Sequence, residues 1–396
     1  MTGAAAERPR IGWWVLGPSL SLFGDAALWL AVGVWIRDLT GSDAAAGLAF
    51  LCFLLPRLFA PAYGLAVDHY RRRALIVTVD LALAVVVAAA CVVERADQIW
   101  ILYAVLVATG FGAGLHNAAG SALLASAVPR DELGRTNGIL RASQETGMLL
   151  APVAGAACYV RWGPKVVVLL ECATFVVSAF AVWMVRVDER PPRPEPGRLL
   201  RRLGAGAEHL WRTPRTRAAV LALGSSLLAF GFVETVVYAL VTRGLDRPAA
   251  FVGVTTAVKG SGSVVGGIVV ARLARRQRDA ALQSAGLLLM AAGCGLMIST
   301  ALALVMAGLF LVGLGIPMAV VAFYTTIQKS TPARLQGRAA AAAGALVTAP
   351  QVLSVATGAA LIGRVDYRVL LAVVVATLTT SAAALYLRGS ALAVEP

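Results

Sequence analysis

The sequence predicts an all-α membrane protein of twelve transmembrane helices, arranged as two pseudo-symmetric six-helix bundles with both termini cytoplasmic. The first observation is composition: 59% of the 396 residues are hydrophobic and only 14% are charged, whereas soluble domains carry about 25% charged residues. The second is block length, because the apolar residues form continuous stretches that can cross a bilayer, which takes roughly 20 residues. The third is an internal repeat.

The repeat has a constant offset of 203 residues. The segment that begins at Gly64 resembles one that begins at Gly267, and the turn at Pro129 resembles the turn at Pro332. A shared offset of about half the chain length indicates two homologous halves in tandem. Duplicated halves in a hydrophobic chain are typical of transporters, whose substrate site lies where the two repeats meet.

Continuous apolar blocks predict six membrane spans in each half. Only helices or closed barrels satisfy the backbone in lipid, and barrel strands would be short and alternating, so we expect twelve helices. The predicted spans are 13–36, 44–67, 74–93, 99–126, 136–160 and 165–187 in the first half, and 215–241, 249–273, 280–300, 303–328, 339–362 and 368–388 in the second.

Basic residues predict the orientation, because they concentrate on the cytoplasmic side of a membrane. Most of the 35 Lys and Arg residues fall on the side that also holds both termini, which explains the net charge of +14 without a nucleic-acid partner. The linker is either a solvated Pro-rich connection or, over 198–212, an amphipathic helix on the inner leaflet. The predicted parts are a cytoplasmic N-tail 1–12, an N-terminal bundle 13–187, a cytoplasmic linker 188–214, a C-terminal bundle 215–388 and a C-tail 389–396.

Motifs for catalysis or metal binding are missing from the sequence. The five cysteines fall inside predicted spans, and their spacing matches no zinc or redox motif. The three histidines are isolated, and no nucleophile-elbow or HExxH pattern accompanies them. We therefore expect no metal, no cofactor and no enzymatic activity.

Twelve spans, two halves and a Pro-rich central loop resemble the major facilitator superfamily, and a loop motif makes the resemblance specific. The family carries G-x-x-x-D-[RK]-x-G-[RK]-[RK] between spans two and three, although His69 and Arg71 depart from it here. The resemblance implies a gating role for this loop, supported by Asp80 at the inner end of span three; the alternative is a basic topogenic loop. The matching positions are Gly64, Asp68, Arg72 and Arg73.

A second resemblance lies in span five, where exporters of this superfamily tend to carry G-x-x-x-G-P-x-x-G-G. Here the run contains Gly147, Ala151, Pro152 and Gly155, and small residues with a proline suit a tightly packed helix at a domain interface. Sequence around spans one, two and five, including Leu55-Pro-Arg57, resembles the branch of drug:proton antiporters that holds macrolide exporters and the enterobactin exporter.

This resemblance implies a secondary active transporter, and we expect a proton-coupled exporter of amphipathic drugs or natural products. Its energy source would be the proton gradient, and its place the inner membrane of a bacterial cell as a multi-pass monomer. The alternatives are a dedicated exporter of a siderophore or self-resistance metabolite, an importer or uniporter, an uncoupled carrier, a transporter-like sensor and a lipid flippase.

Ionisable residues at span depth are costly and therefore indicate function. We expect Asp25 to pair with Arg57, either for proton coupling or as a permanent helix lock, and Glu145 to face Lys259. Glu171 is expected to be structural. The candidates for proton coupling are Asp25, Glu145 and Glu234, and their candidate charge partners are Arg57, Arg141 and Lys259.

In the implied fold, spans one, four, seven and ten line the substrate cavity. Their polar and aromatic residues are Trp29, His116, Asn117, Tyr238 and Tyr324. An apolar cavity with few polar groups suits bulky lipophilic compounds. His116 either titrates or serves as a hydrogen-bonded packing residue.

Overall fold

The computed structural model describes residues 4–59, 63, 67, 69–127, 133–185, 199–273, 279–332 and 335–391, which form helices joined by short turns. The contacts of the chain group it into two compact units. Unit 1 holds Met1–Gly41 and Cys52–Glu195, and unit 2 holds Ser42–Leu51 and Pro196–Pro396. Each half of the predicted repeat thus supplies most of one unit.

Six helices come from the first half of the chain. The helices are α1 (Ala4–Thr40), α2 (Asp43–Leu54), α3 (Arg72–Ala88), α4 (Ile99–Ala127), α5 (Leu133–Trp162) and α6 (Pro164–Met184). α1 packs on α5 and α6, while α3 packs on α4 and α6. A 3₁₀ turn, Leu55–Phe59, follows α2.

Seven helices come from the second half. The helices are α7 (Leu199–Arg212), α8 (Pro214–Ala239), α9 (Val252–Leu273), α10 (Asp279–Leu296), α11 (Leu302–Ser330), α12 (Gln336–Leu361) and α13 (Tyr367–Ala391). α8 packs on α12 and α13, α10 packs on α11 and α13, and α9 packs on α11. A π-helical turn, Leu240–Gly244, extends α8.

Local sequence explains where several helices begin and end. Gly41 ends α1 with a φ of 68° and donates its N–H to the Arg37 carbonyl at 2.9 Å; glycine adopts this left-handed conformation without steric cost. Pro164 and Pro214 open α6 and α8, where a missing N–H costs no helical hydrogen bond.

Ten helical segments in the described part of the chain are long and apolar enough to cross a membrane. They fall on α1, α3, α4, α6 and α8 to α13. The prediction of an all-helical membrane protein is confirmed, and ten of the twelve predicted spans have a matching segment. α2 and α5 lie where the other two are predicted, but α2 is only 12 residues long and α5 has a polar first half.

The start of α2 belongs to unit 2. Asp43 is buried there, and its carboxylate lies 2.7 Å from the Arg243 guanidinium. Thr242 donates a hydrogen bond of 3.3 Å to the same carboxylate. The segment Ser42–Leu51 is therefore held by the π-helical turn that follows α8.

α7 belongs to unit 2 and packs on its other helices. Its Leu210 is fully buried, and His209 Nε2 lies 3.1 Å from the Ser330 carbonyl oxygen. A side-chain carbon added at Gly206 would overlap the backbone of Arg338 at the start of α12. Residues 199–212 therefore form a packed helix and not an extended connection, whereas the inner-leaflet position remains a prediction.

Candidate functional site

Four ionisable side chains from four helices come together inside unit 1. Asp25 lies on α1, Asp80 on α3, His116 on α4 and Glu171 on α6. The carboxylic acids are nearly inaccessible, with exposed fractions of 5% for Asp25 and 1% each for Asp80 and Glu171. We call these four residues the acid network.

At the centre of the acid network the carboxyl groups of Asp25 and Glu171 lie close enough to interact. Thr174 donates a hydrogen bond of 2.8 Å to Glu171 Oε2. Gly24 makes room for this carboxyl group, because a side-chain carbon there would overlap Glu171 Oε2. Ionised carboxylates only accept hydrogen bonds, so a direct hydrogen bond between the two acids requires that one of them carries a proton.

Asp80 and His116 form the other half of the network. His116 Nδ1 lies 3.1 Å from Asp80 Oδ1, and Asp25 interacts electrostatically with both residues. When Asp80 is ionised, Nδ1 must carry the hydrogen in this bond, because the carboxylate can only accept. The imidazole is thereby held in one tautomer.

Each member of the network also keeps one buried polar atom without a hydrogen-bond partner in the described part of the chain. These atoms are Asp25 Oδ1, Asp80 Oδ2, His116 Nε2 and Glu171 Oε1. Buried polar atoms are normally paired, since an unpaired one costs free energy. Within the same ranges no three His, Cys, Asp or Glu side chains are arranged to hold a metal ion.

A half-buried ion pair lies in unit 2. Lys259 Nζ on α9 donates to Glu234 Oε1 on α8 at 3.0 Å, and the side chains are 23% and 13% exposed. Tyr238 follows Glu234 by one helical turn and is 2% exposed. The two side chains form an ion pair that is partly accessible to solvent, whereas the three acids of the acid network are nearly inaccessible.

The expected pair of Asp25 and Arg57 is wrong. Asp25 bonds to Glu171 instead, and the Arg57 guanidinium lies over the Phe53 ring, 5.9 Å from its centroid. The physical reason is the 3₁₀ turn Leu55–Phe59, which replaces the regular helix that the prediction assumed. Arg57 is exposed in this turn.

Lys259 has a partner other than the expected Glu145. It bonds to Glu234, a residue that we had also expected to take part in coupling. Glu145 and Arg141 lie on α5, but their side chains are outside the described residues. Their roles stay predictions.

The predicted gating loop is described only in part. Gly64 and Asp68 lie outside the described residues, whereas Arg72 and Arg73 form the start of α3. Arg73 donates to the carbonyl oxygen of Trp183 near the end of α6. Asp80 bonds to His116 inside the acid network, two helical turns from the start of α3, and its expected support of the loop stays a prediction.

The small residues of α5 pack against α1 within unit 1. A side-chain carbon at Gly155 would lie 2.7 Å from the Ala27 carbonyl oxygen, and Ala151 is fully buried. Gly147 faces Phe23 at an ordinary distance of 3.7 Å, and Pro152 is buried. The tight packing is present, while a role at a domain interface stays a prediction.

The expected cavity residues differ in exposure. Trp29 is half-buried, Asn117 is exposed, and Tyr324 is half-buried with its ring edge against Phe323 at 5.0 Å. His116 belongs to the acid network, and Tyr238 is enclosed in its own unit. A common cavity for all five stays a prediction.

Sequence reasoning did not place Glu171 beside Asp25. It was expected to be structural, and the structure brings its carboxyl group against Gly24, next to Asp25. A signal was available in Gly24, since a glycine beside an intramembrane acid on one helix leaves room for a side chain from another. The partner itself is not readable, because 146 positions of chain separate the two acids.

An integral membrane protein of two helical units, with ionisable side chains buried in both, has the architecture of a secondary transporter. The family model of the Major Facilitator Superfamily matches residues 14–355. The chain belongs to this family of membrane transporters.

Known relatives are distant. The chain is 23% identical over 280 residues to macrolide efflux protein A of Streptococcus pyogenes, covering 69% of each chain. It is 28% identical over 148 residues to multidrug resistance protein MdtG of Klebsiella pneumoniae, covering 37% of this chain and 35% of that protein. The crystal structure of a bacterial homologue of the iron transporter ferroportin has a TM-score of 0.75 at 14% identity, with 96% and 99% of the two chains covered; this likeness concerns the fold alone.

Proposed function

We propose that the protein is a proton-coupled exporter of amphipathic drugs or natural products that works by alternating access. The family and the two efflux relatives support export of small molecules. The observation that supports the coupling is the burial of two neighbouring acids, Asp25 and Glu171, inside a membrane-crossing bundle. The energy source is the proton gradient, with no cofactor, and the protein acts as a monomer in the bacterial cell membrane.

The chemistry of the pair fits proton transport. An ionised acid inside a membrane is costly, and the cost falls when the group is neutral. Asp25 and Glu171 lower that cost by sharing a proton. A rearrangement that brings water or a cation to either acid would favour ionisation and release the proton.

The ion pair of unit 2 supports a second binding step in transport. Lys259 neutralises Glu234 while the two are 3.0 Å apart. Separation of the pair during transport would leave Glu234 as an unpaired acid that binds a proton or a cationic substrate. Glu145 on α5 is the remaining candidate for coupling.

The proposal is tested in inside-out membrane vesicles whose respiration-generated pH gradient quenches a fluorescent amine dye. Macrolides, tetracyclines, cationic dyes and siderophores are added one at a time. A transported compound draws protons out of the vesicle lumen, so the dye recovers. We expect recovery with at least one class of amphipathic compound.

Asp25→Asn is the decisive variant. Asparagine cannot bind and release a proton, so we expect dye recovery to fall at least tenfold. Asp97→Asn is the matched control, because the Asp97 side chain is 67% exposed. Equal recovery in the Asp25→Asn and wild-type vesicles would contradict proton coupling through this site, and no response of the folded wild-type protein to any compound would contradict drug export.

A further inference from the structure

We propose that the acid network binds protons as one unit: Asp25 and Glu171 share one proton, and His116 takes up a second beside Asp80. The proposal rests on the proposed function only for the use of these protons in transport. The binding itself is measurable without a transported compound.

The first proton follows from the contact between two acids. Both carboxyl groups are buried, and the Glu171 carboxyl group fills the space beside Gly24, the residue before Asp25 on α1. Two ionised carboxylates would repel one another and would have no hydrogen to share. Thr174 donates to Glu171 Oε2 at 2.8 Å, which holds this carboxyl group beside Asp25.

The second proton follows from the geometry of His116. Its Nδ1 faces Asp80 Oδ1 at 3.1 Å, so in the neutral ring the hydrogen lies on Nδ1. The lone pair then lies on Nε2, which is buried and has no hydrogen-bond partner among the described residues. A proton that arrives at Nε2 converts the ring into an imidazolium, and this cation is stabilised by Asp80 and Asp25.

Charge explains why the groups act together. With one shared proton and a neutral imidazole, the three acids carry two negative charges, and uptake on His116 reduces the net charge to one. The ionisable groups at this site are Asp25 on α1, Asp80 on α3, His116 on α4, and Glu171 with Cys172 on α6. α5, which packs on α1, carries Arg141 and Glu145, whose side chains are outside the described residues.

The shared proton is tested by difference infrared spectroscopy of the protein in lipid nanodiscs over a series of pH values. We expect a carbonyl stretching band from a buried protonated carboxyl group. Asp25→Asn and Glu171→Gln should each remove it, because the new amide donates the hydrogen bond that the proton supplied. Glu208→Gln is the control, since Glu208 is exposed and paired with Arg212. A band that persists in both amide variants, or is absent from the wild type, overturns the shared proton.

The second proton is tested by nuclear magnetic resonance of protein labelled with ¹⁵N-histidine. The chain contains three histidines. His116→Gln assigns the signal, and His209 on α7 serves as the internal reference. We expect His116 to become an imidazolium as the pH falls, and this form to be lost in Asp80→Asn at the same pH. Asp279→Asn, which removes an exposed contact to Lys329, is the control. A His116 ring that stays neutral throughout the pH range of the folded protein overturns the proposal.

The two tests separate this inference from the proposed function. Proton binding by the network with unchanged transport in Asp25→Asn would leave the inference intact and remove the coupling. Coupled transport that is lost in Asp25→Asn, without the infrared band, would leave the coupling and remove the shared proton.

Discussion

At the scale of single residues, Gly24 decides whether Asp25 and Glu171 can meet. It lies on α1 directly before Asp25, and its missing side chain is the space that the Glu171 carboxyl group occupies. Glu171 is a flexible side chain, so a larger residue at position 24 would displace its tip and not the backbone. The hydrogen bond between the two acids is therefore more sensitive than the fold.

We expect Gly24→Ala to reduce proton-driven transport about tenfold while the protein remains folded. The methyl group moves Glu171 away from Asp25, and each acid then titrates alone. Dye recovery in inside-out vesicles measures the loss, and thermal unfolding in detergent reports the fold.

Gly147→Ala is the control for this substitution. The added carbon would meet Phe23 at an ordinary distance of 3.7 Å, so transport should remain at the wild-type level. Full transport by Gly24→Ala would show that the contact between Asp25 and Glu171 is not required.

At the scale of helices, apolar block length predicted the spans well, and ten of twelve have a matching segment. Length and hydropathy carry this information because the bilayer selects for both. They do not predict how a helix ends. The 3₁₀ turn after α2 moved Arg57 away from the position that a regular helix would give it, and the contact of α7 with α12 depends on Gly206, which has no periodic signal.

The end of α1 provides a test at this scale. Gly41→Ala should destabilise the protein by about 1–2 kcal/mol, because a residue with a side chain is strained at a φ of 68°. No neighbouring atom crowds the position more closely than Arg37 Nη1 at 3.8 Å, so the effect should come from the backbone alone. Chemical denaturation in detergent micelles measures it.

Gly267→Ala is the matched variant in a helix interior. Nothing lies within 4 Å of the added carbon on α9, and alanine favours helix over glycine by about 1 kcal/mol. This variant should be as stable as the wild type or slightly more so. Equal stability of Gly41→Ala and Gly267→Ala would argue against strain at the end of α1.

At the scale of the whole molecule, the sequence predicts the orientation in the membrane and one member of the acid network. Basic residues carry topology because they are retained on one side during insertion. The composition of a single helix also marks Asp25 as an unusual residue. Composition does not predict that Asp80, His116 and Glu171 lie close to Asp25, because those contacts depend on how four helices pack.

The orientation is testable with two exposed arginines in a variant without native cysteines. The Arg95 side chain is 73% exposed in the turn before α4, and the Arg212 side chain is 80% exposed at the end of α7. In intact cells, we expect a membrane-impermeant thiol reagent to label Arg95→Cys and to leave Arg212→Cys unlabelled until the membrane is opened. The opposite labelling would place both termini outside.

The placement of Ser42–Leu51 in unit 2 has a consequence for biosynthesis. Thr242, which binds the Asp43 carboxylate, follows it by 199 residues, so the ribosome makes one partner long before the other. Until Arg243 is translated, the Asp43 carboxylate lacks the ion pair with Arg243 that it forms in the folded protein. Division of the chain at the central linker would place Asp43 and Arg243 on different fragments, and the second fragment by itself would lack the segment Ser42–Leu51 of its own unit.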